Sequence, residues 1–495
     1  MKAYKERALI FRSKRKRYHT LSYGRINIME KKHSLWYVIL IASAAGMAGL
    51  LYGFDTAVIS GAIGYLQEIY NLSPAMEGWV ISCVMIGGVT GVALSGFLSD
   101  RWGRKKLLMV SAIFFIISAL GSAFAIDVTT LVLARILGGL GIGFASALSV
   151  TYISECAPPA IRGRLGSLYQ LFTILGISAT FYINYGVANS GTYEWGLELG
   201  WRWMLGYGTI PGIIFLILLF FIPESPRYLV QKKDEKQALH ILQRINGEKV
   251  AAKELKEIKA SIEVEQSSSA KELLRPGLRM AMGVGIFLAL FNQVIGMNAV
   301  TYYGPDIFRS VGFENNTEFL ATSIIGSVQV VFTIVALLLI DKLGRKKLMA
   351  IGSSLMAVFM VLIGAVFYLD LPNAGIFLII FIAGFTAAFC VSMGPIPWIM
   401  IPEIFPNHLR AKAVGIATIF LWGANWAIGQ FTPVLINNMG SAFTFWMFAV
   451  INVICFIFVM TIVPETKNKS LEEIGQLWKT KEQKENEKQV KEELA

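Results

Sequence analysis

A charged segment that occurs twice between long apolar runs constrains the fold of this chain more than any other feature. Residues 100–106 read Asp-Arg-Trp-Gly-Arg-Lys-Lys, and residues 341–347 read Asp-Lys-Leu-Gly-Arg-Lys-Lys. The other landmarks that recur at nearly the same spacing are Glu155/Arg162 with Glu403/Arg410, and Pro223-Glu224-Ser225 with Pro464-Glu465-Thr466. Landmarks that return in the same order indicate an internal duplication. The chain is therefore predicted to consist of two homologous halves.

Twelve apolar runs give the predicted architecture. Each is about 20 residues long, the length at which an α-helix crosses a bilayer. Only 16% of the 495 residues are charged, against about 25% in soluble domains. We predict an all-α membrane protein with twelve transmembrane helices in two pseudo-symmetric six-helix bundles. The predicted regions are a basic, disordered tail over 1–34, a first bundle over 35–222, a cytoplasmic helical insert over 223–277, a second bundle over 278–463 and a charged tail over 464–495.

The loops between the predicted spans differ in charge in a regular way. Those that carry the duplicated segments are rich in Lys and Arg, and the alternate loops carry mainly Asp and Glu. Because cytoplasmic loops are enriched in basic residues, the duplicated segments are predicted to face the cytoplasm. An even number of spans places both termini on that side as well. We expect a multi-pass protein of the plasma membrane, embedded in lipid, that acts as a monomer.

Composition and motifs exclude several other functions. The four cysteines lie far apart, without the spacing of a metal site or a disulfide framework. The net charge of +12 does not indicate a nucleic-acid partner, because nine Lys and Arg, against one Glu, lie in residues 1–28. No arrangement of a nucleophile with a base is evident, so an enzyme is not predicted. No metal and no cofactor are predicted.

Two charged residues lie inside predicted spans. Asp55 is the single charge between Lys32 and Glu68, and Arg135 is the single charge between Asp127 and Glu155. A charge at mid-bilayer costs about 2.5–3.5 kcal/mol on insertion scales, so two charges of opposite sign are expected to interact. One interpretation is a fixed ion pair between the first and fourth spans. The other is a proton site, in which Asp55 titrates and Arg135 tunes its pKa.

Neutral amides and aromatic residues indicate a polyhydroxylated, uncharged substrate. Amides both donate and accept hydrogen bonds, and indole rings stack on the apolar faces of sugar rings. Breaks in the seventh span, at Gly296 and Gly304-Pro305, and in the tenth span, at Gly394–Trp398, are expected to line a cavity. The alternative is that the amides only join neighbouring helices. The candidate substrate-binding residues are Gln170, Asn292, Gln293, Asn298, Tyr302, Tyr303, Trp398 and Asn425.

The duplicated charged landmarks are candidates for a cytoplasmic gate. Exposed ion pairs contribute only about 0–1 kcal/mol each, whereas networks contribute more. A network across the ends of the two bundles would hold that end closed. The alternative is that these residues determine topology and cap helices. The candidate gate residues are Asp100, Arg104, Glu155, Arg162, Glu224, Arg227, Asp341, Arg345, Glu403, Arg410 and Glu465.

Several of these motifs together resemble the sugar porter branch of the major facilitator superfamily. They are the doubled Asp-x-x-Gly-Arg-Lys-Lys, Gly53-Phe54-Asp55, Pro223-Glu224-Ser225-Pro226-Arg227, Gln293 with Asn298 and Tyr302-Tyr303, and Gly394-Pro395-Ile396-Pro397-Trp398. The resemblance implies the fold of that superfamily and alternating access between the two bundles. It also implies proton coupling at Asp55 with Arg135, and sugar contacts at the positions Gln170, Gln293, Asn298 and Trp398.

The activity that this resemblance implies is proton-coupled uptake of a monosaccharide. A pentose is expected first, L-arabinose before xylose or galactose. The alternatives are a proton symporter for a hexose or inositol, then a facilitative uniporter, then a membrane sugar sensor. The expected partners are a sugar, a proton as the coupling ion and the lipid bilayer.

Overall fold

The computed structural model describes residues 2–158, 161–267, 270–275, 278–369 and 373–467, the first 35 by their backbone alone. Within these ranges twelve helical segments are long and apolar enough to cross a membrane. This number confirms the predicted count of spans. The predicted charged tail lies, from residue 468 onward, outside the described residues.

The first half of the chain forms one six-span bundle, whose sixth span is broken into short pieces. A π-helical turn at Gly196–Gly200 separates the first two of those pieces. The helices are α1 Lys2–Tyr70, α2 Pro74–Trp102, α3 Arg104–Ala123, α4 Val128–Cys156, α5 Arg162–Ala188, and then α6 Tyr193–Trp195, α7 Trp201–Gly206 and α8 Thr209–Phe221.

The second half forms the second bundle, after a helical insert. The insert contains α9 Pro226–Gln231, α10 Glu235–Asn246, α11 Glu248–Ser267 and a 3-10 turn at Ala270–Leu274. The seventh span divides into two helices, and so does the tenth. The helices are α12 Leu278–Val294, α13 Met297–Arg309, α14 Thr317–Leu343, α15 Arg345–Leu369, α16 Ala374–Val391, α17 Ile396–Glu403, α18 Asn407–Met439 and α19 Ser441–Thr461.

The start of α1 differs from the sequence-based expectation. A disordered tail was predicted for residues 1–34, whereas α1 begins at Lys2 and its membrane-spanning part begins at Trp36. Lys, Arg and Leu are good helix formers. Once the apolar span has formed a helix, extending it backwards avoids the cost of a new nucleus.

Glycines let helices of the first bundle approach backbone to backbone. A Cβ atom at Gly53 of α1 would lie 2.0 Å from the Thr173 carbonyl oxygen of α5. A Cβ atom at Gly139 of α4 would lie 1.9 Å from the Val84 carbonyl oxygen of α2. Small residues at such contacts are typical of packing between membrane helices. They fix α1 against α5 and α2 against α4.

Two helix breaks interrupt the second bundle where the sequence predicts them. Gly296 separates α12 from α13 with φ of +106°, a conformation that glycine adopts without a steric penalty. Tyr303 then departs from helical geometry, two residues before Pro305. The turn over residues 392–395 separates α16 from α17. Both predicted breaks are therefore confirmed.

The two bundles meet at the end that lies away from the duplicated charged segments. Gln430 of α18 accepts a hydrogen bond from the Ser82 hydroxyl (3.0 Å) and donates one to the Ala75 carbonyl oxygen (2.8 Å). At the same end, the Asn316 amide donates to the Ala188 carbonyl oxygen at 3.1 Å. These contacts join the first bundle to the second and close that end of the molecule.

Candidate functional site

Asp55 and Arg135 form an ion pair inside the first bundle. Arg135 Nη2 lies 3.8 Å from Asp55 Oδ2, and both residues are buried. This distance exceeds that of a direct hydrogen bond, about 2.7–3.2 Å, so the two charges attract each other across a gap. The Nε atom of Arg135 has no hydrogen-bond partner. The expected pairing is present, and its role in proton coupling stays a prediction.

Three of the predicted substrate residues form one chain of amides at the break in the seventh span. Asn298 Nδ2 donates to Gln293 Oε1 at 2.7 Å, and Gln293 Nε2 donates to Asn292 Oδ1. Asn292 Nδ2 in turn donates to the Met393 and Gly394 carbonyl oxygens. The chain therefore connects the α12–α13 break to the α16–α17 break. We call these three residues the amide cluster.

The two tyrosines of α13 contact α18. The Tyr302 hydroxyl donates to Asn425 Oδ1 at 2.6 Å, and the Tyr303 hydroxyl donates to the Gly429 carbonyl oxygen at 2.7 Å. The Nδ2 atom of Asn425 is buried and makes no close hydrogen bond, and the Tyr52 hydroxyl faces the same amide. Both hydroxyls therefore join α13 to α18, and that of Tyr302 ends on a side-chain amide whereas that of Tyr303 ends on the backbone.

Gln170 and Trp398 lie apart from these groups. Gln170 is half-buried on α5, and Trp398 is 40% exposed on α17, three residues after the turn. Among the described contacts neither side chain hydrogen-bonds to the amide cluster.

Tyr52, which the sequence analysis did not select as a binding residue, belongs to the same region and contacts Trp422. Their ring centroids are 5.5 Å apart, with Tyr52 on α1 and Trp422 on α18. The Tyr52 hydroxyl also faces Asn425. An aromatic residue in an apolar run is ordinarily read as packing. The signal that could have identified Tyr52 is its position three residues before Asp55, on a neighbouring part of the helix surface.

At the end of the first bundle that carries the duplicated segment, charged residues surround the start of α3. Glu224 Oε1 accepts hydrogen bonds from the backbone N–H groups of Arg104 (3.0 Å) and Lys105 (3.1 Å). The Arg104 guanidinium lies 3.2 Å from Asp100 and 3.3 Å from Glu155. Burial raises the pKa of Glu224, and these backbone N–H groups partly offset the rise.

The second bundle repeats this arrangement at the start of α15. Glu465 accepts hydrogen bonds from the backbone N–H groups of Arg345 and Lys346, both at 3.1 Å. The Arg345 guanidinium lies 3.3 Å from Glu403, which also accepts a 2.7 Å hydrogen bond from the Thr466 hydroxyl. The internal duplication therefore extends to individual hydrogen bonds.

These contacts differ from the predicted network across the bundle ends. Arg104 and Arg345 each pair with acids of their own bundle. These acids, Asp100, Glu155 and Glu403, lie in the last turns of α2, α4 and α17. Arg227 lies 3.9 Å from Glu155, again within one half. Burial lowers the pKa of Arg410, and the Glu403 carboxylate opposes that shift. The side chains of Arg162 and Asp341 lie outside the described residues.

In the part of the chain that the structure describes, no group of three or more His, Cys, Asp or Glu residues could hold a metal ion.

Comparison with known proteins identifies the family. The family model described as "Sugar (and other) transporter" matches residues 41–478. The arabinose-proton symporter of Bacillus subtilis (strain 168) is 65% identical over 90% of this chain and 96% of its own length. The D-xylose-proton symporter of Escherichia coli (strain K12) is 36% identical over 92% of this chain and 99% of its own length.

A solved structure agrees with this assignment. The inward-open conformation of the xylose transporter from E. coli matches with a TM-score of 0.79 and 35% sequence identity. The match covers 89% of this chain and all of the other. These relatives are transporters and not enzymes. The fold, the duplicated motifs and the matches agree, and the chain belongs to the sugar transporter family of the major facilitator superfamily.

Proposed function

We propose that this protein is a proton-coupled symporter that takes up a monosaccharide, L-arabinose before xylose or galactose, by alternating access. The observation that carries the proposal is the position of a buried ion pair, Asp55 with Arg135, one helical turn from Tyr52, whose ring contacts Trp422 of the other bundle. The choice of sugar rests on the names of the relatives, an arabinose-proton symporter at 65% identity and xylose and galactose symporters at 36–37%.

The proposed orientation places the duplicated charged segments and both termini in the cytoplasm, and the protein in the plasma membrane as a monomer. The basic loops support this orientation through the positive-inside rule. The end where Gln430 and Asn316 join the bundles is then the outer end. With this orientation, the described conformation is closed to the outside and corresponds to the state that releases sugar into the cytoplasm.

The geometry supports a coupling mechanism through α1. Asp55 and Tyr52 are one turn apart on this helix, so a displacement of Asp55 also moves the Tyr52 ring against Trp422 and Asn425. Protonation of Asp55 removes its attraction to Arg135 and frees α1 from α4 at this depth. Sugar binding and closure follow in the protonated carrier. Release of the proton to the cytoplasm restores the ion pair and resets the empty carrier.

The test is uptake by sealed vesicles with and without an imposed proton gradient. Labelled arabinose, xylose, galactose, glucose and inositol are compared. We expect uphill accumulation of arabinose that requires the gradient, together with alkalinisation of the medium when sugar is added. A membrane potential of 100 mV contributes about 2.3 kcal/mol per charge, enough for about fifty-fold accumulation. Equal uptake with and without the gradient would identify a uniporter instead.

The variant Asp55→Asn keeps the shape of the side chain but cannot titrate. We expect sugar–sugar exchange to persist, while uphill accumulation and sugar-driven proton uptake are lost. The matched control is Asp127→Asn, because Asp127 caps α4 at the outer surface and Asn caps helices equally well. Proton uptake at wild-type stoichiometry in Asp55→Asn would show that the ion pair is structural.

A further inference from the structure

A small cavity adjoins Asp55 inside the first bundle. Its lining includes Asp55, Arg135, Ser118, Ser122 and apolar side chains such as Leu205. All of its lining residues come from α1, α3, α4 and α7, so it is separate from the space between the bundles. The free space is close to the size of a water molecule, which is too small for a sugar.

Asp55 borders both this cavity and the sugar region, by which we mean the proposed binding site formed by Tyr52, Trp422, Asn425 and the amide cluster. On α1, Phe54 and Val58 line the cavity, whereas Tyr52 contacts Trp422 of the other bundle. At about 100° per residue, the direction of the Asp55 side chain falls between these two sets. A proton could therefore reach the carboxylate from either side.

The cavity is polar enough to hold water. The buried Arg135 Nε atom has no hydrogen-bond partner, and the 3.8 Å gap to Asp55 leaves the ion pair without a direct hydrogen bond. Ser118 and Ser122 add two hydroxyl groups to the lining. Water occupies a buried space when it finds two to four polar partners there, and these four side chains meet that condition.

The two serines lead away from Asp55 toward the outer end of the bundle. They lie one turn apart on α3, and Ser122 is one residue before the end of that helix. A Cβ atom at position 138 would lie 2.3 Å from the Ser118 hydroxyl, so Gly138 of α4 leaves room for that group. The loop beyond is held by Arg202, which donates to the Ala123 and Ala125 carbonyl oxygens at 2.8 Å.

We propose that Ser118 and Ser122 hold water in this cavity and form the route by which a proton reaches Asp55, separate from the path of the sugar. The proposal rests on the proposed symport. A proton enters from the outer solution, passes along the serine hydroxyls and water, and adds to the Asp55 carboxylate. Each water regains a proton from the one behind it. The other titratable groups near the ion pair are Cys83 of α2, Tyr52 of α1 and Tyr302 of α13.

The test uses the double variant Ser118→Ala with Ser122→Val, which removes both hydroxyls and fills the space. We expect the initial rate of sugar-driven proton uptake to fall by about tenfold or more, while sugar–sugar exchange falls less than twofold. The matched control is Ser111→Ala. Ser111 lies two turns before Ser118 on the same face of α3, and its hydroxyl bonds to the Leu108 carbonyl oxygen of its own helix.

The pH profile of uptake separates proton delivery from a packing defect. If protons arrive about tenfold more slowly, half-maximal uptake should need a pH about one unit lower in the double variant. A packing defect would lower the maximal rate without moving the profile. Should the double variant lose exchange as well, radiolytic hydroxyl footprinting of the wild type decides. Phe115 lines the cavity. Labelling of Phe115 would support the proposal, because it requires water in the cavity, and the absence of labelling at Phe115 would overturn the proposal.

The outcomes also distinguish this proposal from the proposed function. Loss of proton uptake in Asp55→Asn, combined with wild-type rates and pH profile in the double serine variant, would overturn the serine route alone. Protons would then reach Asp55 through the sugar region. Intact proton uptake in Asp55→Asn would overturn both.

Discussion

Glu224 allows a quantitative test of the interpretation that the duplicated charged residues cap helices. Glu224 Oε1 accepts from the backbone N–H groups of Arg104, Lys105 and Ser225 at 2.9–3.1 Å. Because α3 begins directly after Gly103, it has no side-chain cap of its own. Glu224→Ala removes all three acceptor contacts, whereas Glu224→Gln keeps an oxygen in the same place.

The expected magnitudes follow from these contacts. Loss of a helix cap costs about 0.5–2 kcal/mol, and loss of a negative charge at a helix N-terminus costs about 0.3–1 kcal/mol. We expect Glu224→Ala to lower the free energy of unfolding by about 2 kcal/mol, near the upper end of the capping range. Because burial raises the pKa of Glu224, its charge adds little, and Glu224→Gln should cost less than about 1 kcal/mol.

Thermal unfolding in detergent can be followed with a thiol-reactive fluorescent dye, since all four cysteines are free and buried. At about 2–4 °C per kcal/mol for a domain of bundle size, Glu224→Ala should lower the Tm by about 4–8 °C. The pH dependence has a definite sign. A carboxyl whose pKa is raised by folding stabilises the folded state below that pKa. The wild type should therefore gain stability relative to Glu224→Gln as pH falls from neutral toward the unfolded pKa.

The duplicated residue in the second bundle gives a second test. Arg345 N–H donates to Glu465 Oε1 and Lys346 N–H donates to Oε2, so Glu465→Ala should destabilise the fold as Glu224→Ala does. Glu465→Gln keeps one of these two oxygens, and its effect should lie between those of the wild type and the Ala variant. The reasoning would be refuted if the Gln variants were as destabilised as the Ala variants. The charge, and not the acceptor oxygen, would then be the important property. It would also be refuted if neither Ala variant changed the Tm.

Two further predictions concern substrate binding and the gate. Trp398→Leu should weaken sugar binding about tenfold, or about 1.4 kcal/mol, without loss of membrane expression, because the side chain is 40% exposed; an unchanged Kd in calorimetric titration would remove Trp398 from the site. If the charged residues pair across the bundles when the outer end opens, Arg104→Ala and Arg345→Ala should each shift thiol labelling of engineered cysteines toward the inward-open state and slow net transport. An unchanged labelling pattern would assign these residues to capping and topology alone.

The sequence predicts best the features that depend on the length of an apolar run or on the rarity of a charged residue within it. Apolar runs of bilayer length give the twelve spans, because a lipid-exposed backbone must satisfy its hydrogen bonds within a helix. Asp55 and Arg135 were expected to meet because each is the only charge in its span. Gly296 and the residues around Pro395 predicted the two helix breaks through their backbone preferences. These inferences need no knowledge of which helices are neighbours.

The features that the sequence does not predict depend on which helices are neighbours in the fold. Arg104 and Arg345 pair within their own bundles, and chain spacing alone could not exclude partners in the opposite bundle. Tyr52 reaches Trp422 across the interface, although only its spacing from Asp55 distinguishes it from a packing residue. The cavity beside Ser118 depends on Gly138 of another helix, a pairing that only the three-dimensional arrangement reveals.

The proposed coupling site and the proposed sugar site are built differently, and this has a consequence for how such a carrier can change its substrate. In the first bundle Gly53 and Gly139 fix neighbouring helices backbone to backbone around the ion pair. In the second bundle the amide cluster lies on interrupted helices. If the amide cluster binds the sugar as proposed, substitutions near Asn292 and Asn298 should alter the preferred sugar and leave the Asp55–Arg135 pair intact. Evolution or protein engineering could then exchange one transported sugar for another and retain the coupling to protons.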